Sequence, residues 1–142
     1  MTAPNDNDNG HILTDIAPDA IRRIHLVGVA GTGMGAFAGM LKAAGYTVTG
    51  SDENVYPPMS DMLREWGIEV YTPYAPENLD RARPDLVIIG NVIRRVNPEA
   101  TAVRSRGLPQ MSFPAAFGAL VAAALAMFID LRDPELAALG AE

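Results

Sequence analysis

The 142-residue chain contains no cysteine. Disulfides, thiolate metal centres and a cysteine nucleophile are therefore excluded, and a reducing compartment such as the cytoplasm is the expected location. Lysine occurs once, at Lys42, and tryptophan once. Positive charge is scarce overall: 11 Lys and Arg face 17 Asp and Glu, a formal net charge of −6. An acidic surface repels a phosphate backbone, so nucleic acid is not an expected partner. A nucleotide held at one local site is still allowed, because helix ends and backbone N–H groups bind phosphate without net charge. Long hydrophobic runs are missing too. The longest, Pro114 to Ile129, has 16 residues, mostly Ala, Gly and Leu. A membrane span needs about 20 strongly apolar residues, so no membrane contact is expected and this run reads as a buried or partner-facing helix. The Asn/Asp-rich start, Met1 to Gly10, has no apolar segment and is not a secretory signal. Residues 1–20 are expected to be a disordered lead-in.

What is present alternates between strand and helix patterns. Ile24 to Val29 reads as a buried strand and Met34 to Ala44 as a helix with Met34, Phe37, Ala38, Leu41 and Ala44 on one stripe. Tyr46 to Thr49 follows as a strand, Met59 to Trp66 as a helix, and Ile68 to Tyr71 as a strand. Leu86 to Ile89 is the strongest strand, without polar alternation. Asn97 is placed to cap a helix opening on Pro98. Leu108 to Met111 gives a fifth strand, and a last helix starts at Pro114. The pattern predicts an α/β, Rossmann-like parallel sheet of about five strands with helices on both faces and a C-terminal helical tail. In such sheets ligands bind at the carboxyl ends of the strands. Three segments meet there: Gly28 to Gly35, Gly50 to Asp52, and Gly90-Asn91.

The first of these, Gly28-Val-Ala-Gly-Thr-Gly-Met-Gly35, lies between a strand and a helix, the context in which glycines cradle phosphate. The dinucleotide pattern G-x-G-x-x-G needs glycine where Ala30 stands. The P-loop pattern fits Gly28 and Gly33 but has Met34-Gly35 in place of Lys-Ser/Thr, and Lys42 lies far along the next helix. ATP binding of the P-loop kind is thus excluded for this loop. Asp52, 24 residues after Gly28, stands where dinucleotide folds place an acid on ribose hydroxyls. A turn or cap role is equally open for it.

These residues resemble a known family. Ile24-His-Leu-Val-Gly-Val-Ala-Gly-Thr-Gly-Met-Gly35 is similar to the opening of the Mur ligases, the ATP-dependent amide ligases of peptidoglycan synthesis. Gly50-Ser-Asp-Glu-Asn-Val-Tyr-Pro-Pro-Met-Ser60 resembles their peptide-recycling branch. Ile88-Ile-Gly-Asn91, Asn97-Pro-Glu99 and Met111-Ser112 continue the likeness, which covers about Arg23 to Leu120. It implies that the chain is the family's N-terminal domain, binding UDP-N-acetylmuramate or a related UDP-sugar. The diphosphate would lie on Gly31, Thr32, Gly33, Met34 and Gly35, the uridine near Ser51 and Asp52, and Asn91 and Arg95 near diphosphate and sugar. Arg94 and Val96 depart from the family's pattern. For Arg94 and Arg95 a solvated cationic loop and a phosphate contact are both open.

The resemblance further implies that residues 21–118 form the binding domain. After Leu120 the chain departs from the family, and 119–142 reads as a helical tail in which Asp133-Pro-Glu135 starts a short helix that stops at about Gly140. The domain that uses ATP and Mg²⁺ is then expected to be absent, and no cofactor is expected on this chain. No catalytic or metal-ligating set stands out. His11 lies in the lead-in, and His25 reads as a hydrogen-bonded core residue. Two other readings are a module that self-associates or docks through helix 115–129, and an NAD-binding Rossmann protein.

Overall fold

The structure, a computed structural model, describes residues 20–132. The expected lead-in, but for its last residue, and the expected helix from Asp133 lie outside the described residues. Five strands and five helices alternate: β1 (Arg23–Val27), α1 (Thr32–Ala43), β2 (Thr47–Ser51), α2 (Met59–Glu65), β3 (Glu69–Tyr71), α3 (Glu77–Ala82), β4 (Leu86–Ile89), α4 (Pro98–Ser105), β5 (Gln110–Ser112) and α5 (Phe113–Arg132). The strands form one parallel sheet in the order β3-β2-β1-β4-β5. The chain starts in the middle, builds outward through β2 and β3, then crosses to the other side of β1. That reversal opens a crevice beyond the carboxyl ends of β1 and β4, where connections leave in opposite directions.

Strand alternation sorts the core into two layers. Ile24 and Leu26 of β1, Val48 of β2, and Leu86 and Ile88 of β4 pack with Phe37 and Leu41 of α1, Leu63 of α2 and Ala116 of α5. On the other face Val27 and Val87 pack with Leu79 of α3 and Ala102 and Val103 of α4. Each fully buried aliphatic side chain contributes about 1.5–3 kcal/mol over an exposed one. Of the stripe read from the sequence of α1, Met34, Phe37, Ala38 and Leu41 are buried, whereas Ala44 is exposed because the helix ends at Ala43 and Ala44 is its C-cap.

Some boundaries differ from the sequence reading. β1 ends at Val27 because Gly28 takes φ +92 and leaves extended geometry. β2 runs on to Ser51, since Gly50 and Ser51 pair with Leu26 and Val27. A side chain at Gly50 would put its Cβ 2.5 Å from that of Val29, so only glycine lets the loop pack there. β5 is shifted to Gln110–Ser112. Helix α3 was not expected: Leu79 and Ala82 are buried, but the charged residues around them conceal the stripe. α5 runs unbroken past residue 118. Its start is fixed by an aromatic group in which Phe113 and Phe117 lie 5.5 and 5.7 Å from Phe37.

Candidate nucleotide-binding rim

At the end of β1 the chain turns at Gly28, and the N–H groups of Gly28 and Val29 donate to the Ser51 carbonyl at 2.8 and 3.1 Å. Gly31 caps α1 in extended geometry with no side-chain cap, and the first turn carries no acid. Gly35 N–H donates to the Gly31 carbonyl at 2.7 Å. By helix geometry the N–H groups of Thr32, Gly33 and Met34 have no acceptor inside the helix. Unpaired N–H groups with the positive end of the helix dipole behind them are the chemistry that suits an anion. Gly31, Thr32 and Gly33 are exposed, whereas Met34 and Gly35 are buried. The Met34 side chain belongs to the core, leaving only its backbone for the rim. Gly35 lies under Met59, whose Sδ would meet an added Cβ at 2.3 Å. It therefore serves packing.

Asp52 stands at the end of β2. Its Oδ2 accepts from Ala30 N–H at 2.9 Å, and its Oδ1 accepts from Glu53 N–H at 2.8 Å and the Tyr74 hydroxyl at 3.2 Å. Burial and then the Asp52 charge push the Tyr74 pKa well up, so the hydroxyl stays protonated as a donor. A cleft of about 430 Å³ adjoins these groups, lined among others by Asp52, Tyr74, Ile93, Arg94 and Asn97. Arg94 lines it and Arg95 does not. The Arg95 carbonyl instead accepts from the Arg104 guanidinium and the Thr101 hydroxyl. Asn91 is exposed on the turn after β4. Asn97 caps α4 as the sequence predicts, with Oδ1 accepting from Glu99 and Ala100 N–H at 2.9 and 3.1 Å.

Ser51 does not face the cleft. It is fully buried, and its hydroxyl donates to Glu99 Oε2 at 2.5 Å. The same oxygen accepts from His25 Nε2 at 2.8 Å, and His25 Nδ1 meets the Thr49 hydroxyl at 2.8 Å. Glu99 Oε1 accepts from Asn78 Nδ2 at 2.6 Å and Ala75 N–H at 3.2 Å. Serine, histidine and glutamate are the residue types of a hydrolytic triad, but the carboxylate lies between the other two. His25, Ser51 and Glu99 are each at 0% exposure, so no substrate reaches them. Sequence reading treats His25 as a hydrogen-bonded core residue, and the structure agrees. It passes over Glu99. A signal existed: the period-two pattern puts His25, Thr49 and Ser51 on one face of two central strands, where buried polar groups need a partner.

Burial raises the Glu99 pKa, but hydrogen bonds from His25, Ser51 and Asn78 outweigh it and hold the carboxyl below the ordinary glutamate value. Asp85, bonded by the N–H groups of Arg22 and Arg23, is also lowered. A carboxylate with a depressed folded pKa stabilises the fold above its unfolded pKa and loses that contribution as pH falls through the folded value. Thermal melts should therefore change little between pH 7 and pH 5 and fall progressively below about pH 4. A melting temperature that holds steady to about pH 2 would contradict this.

Among the described residues no group of three His, Asp or Glu side chains is placed to hold a metal. No described helix is long and apolar enough to cross a membrane. The loop does not fit ATP with Mg²⁺ in the P-loop manner, since Lys42 lies in the last turn of α1.

Parallel order, glycine turn and uncapped helix end together define a Rossmann-like domain with free backbone donors on one rim. The chain belongs to the Mur ligase family: the model described as Mur ligase family, catalytic domain, matches residues 23–124. It is 49% identical over 92 residues to the UDP-N-acetylmuramate–L-alanyl-gamma-D-glutamyl-meso-2,6-diaminoheptandioate ligase of Escherichia coli K12, covering 65% of this chain and 20% of that protein. The Haemophilus influenzae protein of the same name is 47% identical over 94 residues, covering 66% and 20%. Among solved structures, the UDP-N-acetylmuramate:L-alanyl-gamma-D-glutamyl-meso-diaminopimelate ligase from Neisseria meningitides superposes with a TM-score of 0.63 at 40% identity, over 65% of this chain and 28% of that one. A UDP-N-acetylmuramate–alanine ligase from Thermotoga maritima gives 0.64 at 31% identity, over 70% and 22%. The match thus spans about a fifth of the length of the curated relatives.

Proposed function

We propose that this domain is the UDP-N-acetylmuramate-binding part of a ligase that joins a murein tripeptide to that nucleotide sugar in cell-wall recycling, in the cytoplasm. The observation that carries the reading is the uncapped, acid-free end of α1, whose loop is tied through Ala30 N–H to Asp52 on the wall of the cleft that Arg94 also lines. In this reading the backbone N–H groups of Thr32, Gly33 and Met34, within the Gly31 to Gly35 turn, hold the diphosphate. Asp52 and the chain at Ser51 border the uridine, and the turn carrying Asn91 lies toward the sugar, with Arg94 rather than Arg95 as its cation. The structure adds Arg94 as a cation lining the cleft. In this reading residues 21–118 are the binding unit. ATP and Mg²⁺, which the family uses to activate the carboxylate for amide formation, have no place on this rim, and no step of that chemistry falls to the described residues.

The reading has to displace an NAD-binding one. There the acid at the end of β2 must be free for ribose hydroxyls. Here Asp52 already accepts from Ala30, Glu53 and Tyr74, and Ala30 stands where the dinucleotide pattern needs its second glycine. Titration calorimetry with UDP-N-acetylmuramate, UDP, NAD and ATP separates the alternatives. Heat is expected with the two uridine ligands and not with ATP. Silence with both uridine ligands sinks the reading, and tight NAD binding replaces it.

A second reading, self-association through residues 115–129, is favoured by one observation: Phe117, Val121 and Leu125 are exposed along one side of α5. Such a stripe is an association surface when left uncovered. Sedimentation should show a species heavier than the monomer as concentration rises. A monomer throughout discards this role for α5.

A further inference from the structure

The four donors on Glu99 come from four separate segments: His25 from β1, Ser51 from the end of β2, Ala75 from the turn before α3, and Asn78 from α3. Two of them adjoin rim groups. Ser51 precedes Asp52, and its carbonyl receives the N–H groups of Gly28 and Val29. Ala75 follows Tyr74, whose hydroxyl holds Asp52. Glu99 itself is two residues from Asn97, which lines the cleft. A carboxylate has two oxygens and about four acceptor positions, and here all four are taken. His25 is held in turn by Thr49 and by the Tyr71 ring stacked 6.0 Å away, with the Arg81 guanidinium on that ring.

We propose that Glu99 is a positioning residue for the nucleotide rim: one buried carboxylate fixes the glycine loop's anchor at Ser51 and the Tyr74 wall against each other without touching ligand. The inference rests on the binding role proposed for that rim. A mere space-filling role would be met by any side chain of the same size. A positioning role needs an acceptor toward every donor, because a buried network transmits the position of each member to the others.

The test is Glu99→Gln in the full chain, which keeps the shape and replaces one acceptor oxygen by an NH₂ donor. The NH₂ then faces either His25 and Ser51, which moves the His25 proton from Nε2 to Nδ1 and shows in the ¹⁵N shifts of its ring, or Asn78 and Ala75, which leaves two donors without an acceptor. The variant should melt cooperatively. Amide hydrogen exchange at Gly28, Val29 and Ala30 should speed up about tenfold or more while Leu26 and Ile88 are unchanged. UDP affinity should fall about tenfold, the scale of one hydrogen bond to a charged group. A folded Glu99→Gln with unaltered exchange in the loop overturns the proposal. Should that variant not fold, Ser51→Ala removes one link only, and unaltered exchange there overturns it equally. Failure of the parent protein to bind UDP would sink the rim's function instead, and the exchange measurements would still decide the role of Glu99.

Discussion

Glu99→Ala is expected to lower stability by about 3–5 kcal/mol, the range for breaking a buried charged network by removing one partner. The side chain is at 0% exposure, so its loss also leaves a cavity. His25 Nε2, the Ser51 hydroxyl, Asn78 Nδ2 and Ala75 N–H would all lose their acceptor at once. A buried donor left unsatisfied costs about 1–3 kcal/mol, so four of them set a ceiling well above the quoted range. Partial relaxation and entry of water bring the figure down. Domains of this size have about 5–15 kcal/mol in total, and each kcal/mol moves the melting temperature by several degrees. A drop of more than about 10 °C should appear in a thermal melt. Glu99→Gln should lose less, because the side-chain volume is kept and its remaining oxygen still accepts from two of the four donors. A shift below about 1 kcal/mol for the alanine variant would mean that the network adds no net stability.

The sequence made the local features of this domain legible and left the long-range ones hidden. Glycines, prolines and apolar runs announce strand ends and helix starts, so five strands, the Asn97 cap and the buried stripe of α1 could be read directly. The glycine loop and Asp52 were readable for the same reason, being tied to strand ends. Which way a rim side chain points was not. Ser51 looks like a ligand contact by position, yet the pleat turns it inward to a glutamate 48 residues away. Glu99 reads as a first-turn helix acid, and nothing near it in the chain says that His25, 74 residues earlier, is its partner. The family likeness pointed to Arg95 and away from Arg94, yet the path of the loop after β4 brings Arg94 to the cleft and leaves Arg95 out of it. Helix α3 escaped because six residues give too few turns for a period to show against charged neighbours.

Gly31→Val and Gly33→Val should abolish most UDP binding while leaving the fold in place. Gly31 lies at φ −64 and ψ 147, a geometry open to any residue. An added Cβ there meets only the Gly28 carbonyl, at 3.7 Å. At Gly33 the nearest atom is Phe113 Cε1 at 3.4 Å, an ordinary contact. Thermal melts should therefore move by no more than about 1–2 kcal/mol, mainly from β-branching in the first turn and contact with Phe113. The ligand side differs. Phosphate oxygens must come within about 2.9 Å of the N–H groups at the end of α1. A branched side chain beside those groups keeps an anion at a greater distance. Each hydrogen bond to a charged group contributes about 1.5–3 kcal/mol, so losing two should weaken UDP by a factor of about 10² or more. Gly28→Ala is the contrasting case: its φ of +92 strains any side chain, so it should lower stability and binding together. Parent-like UDP affinity in folded Gly31→Val and Gly33→Val would move the diphosphate off this loop.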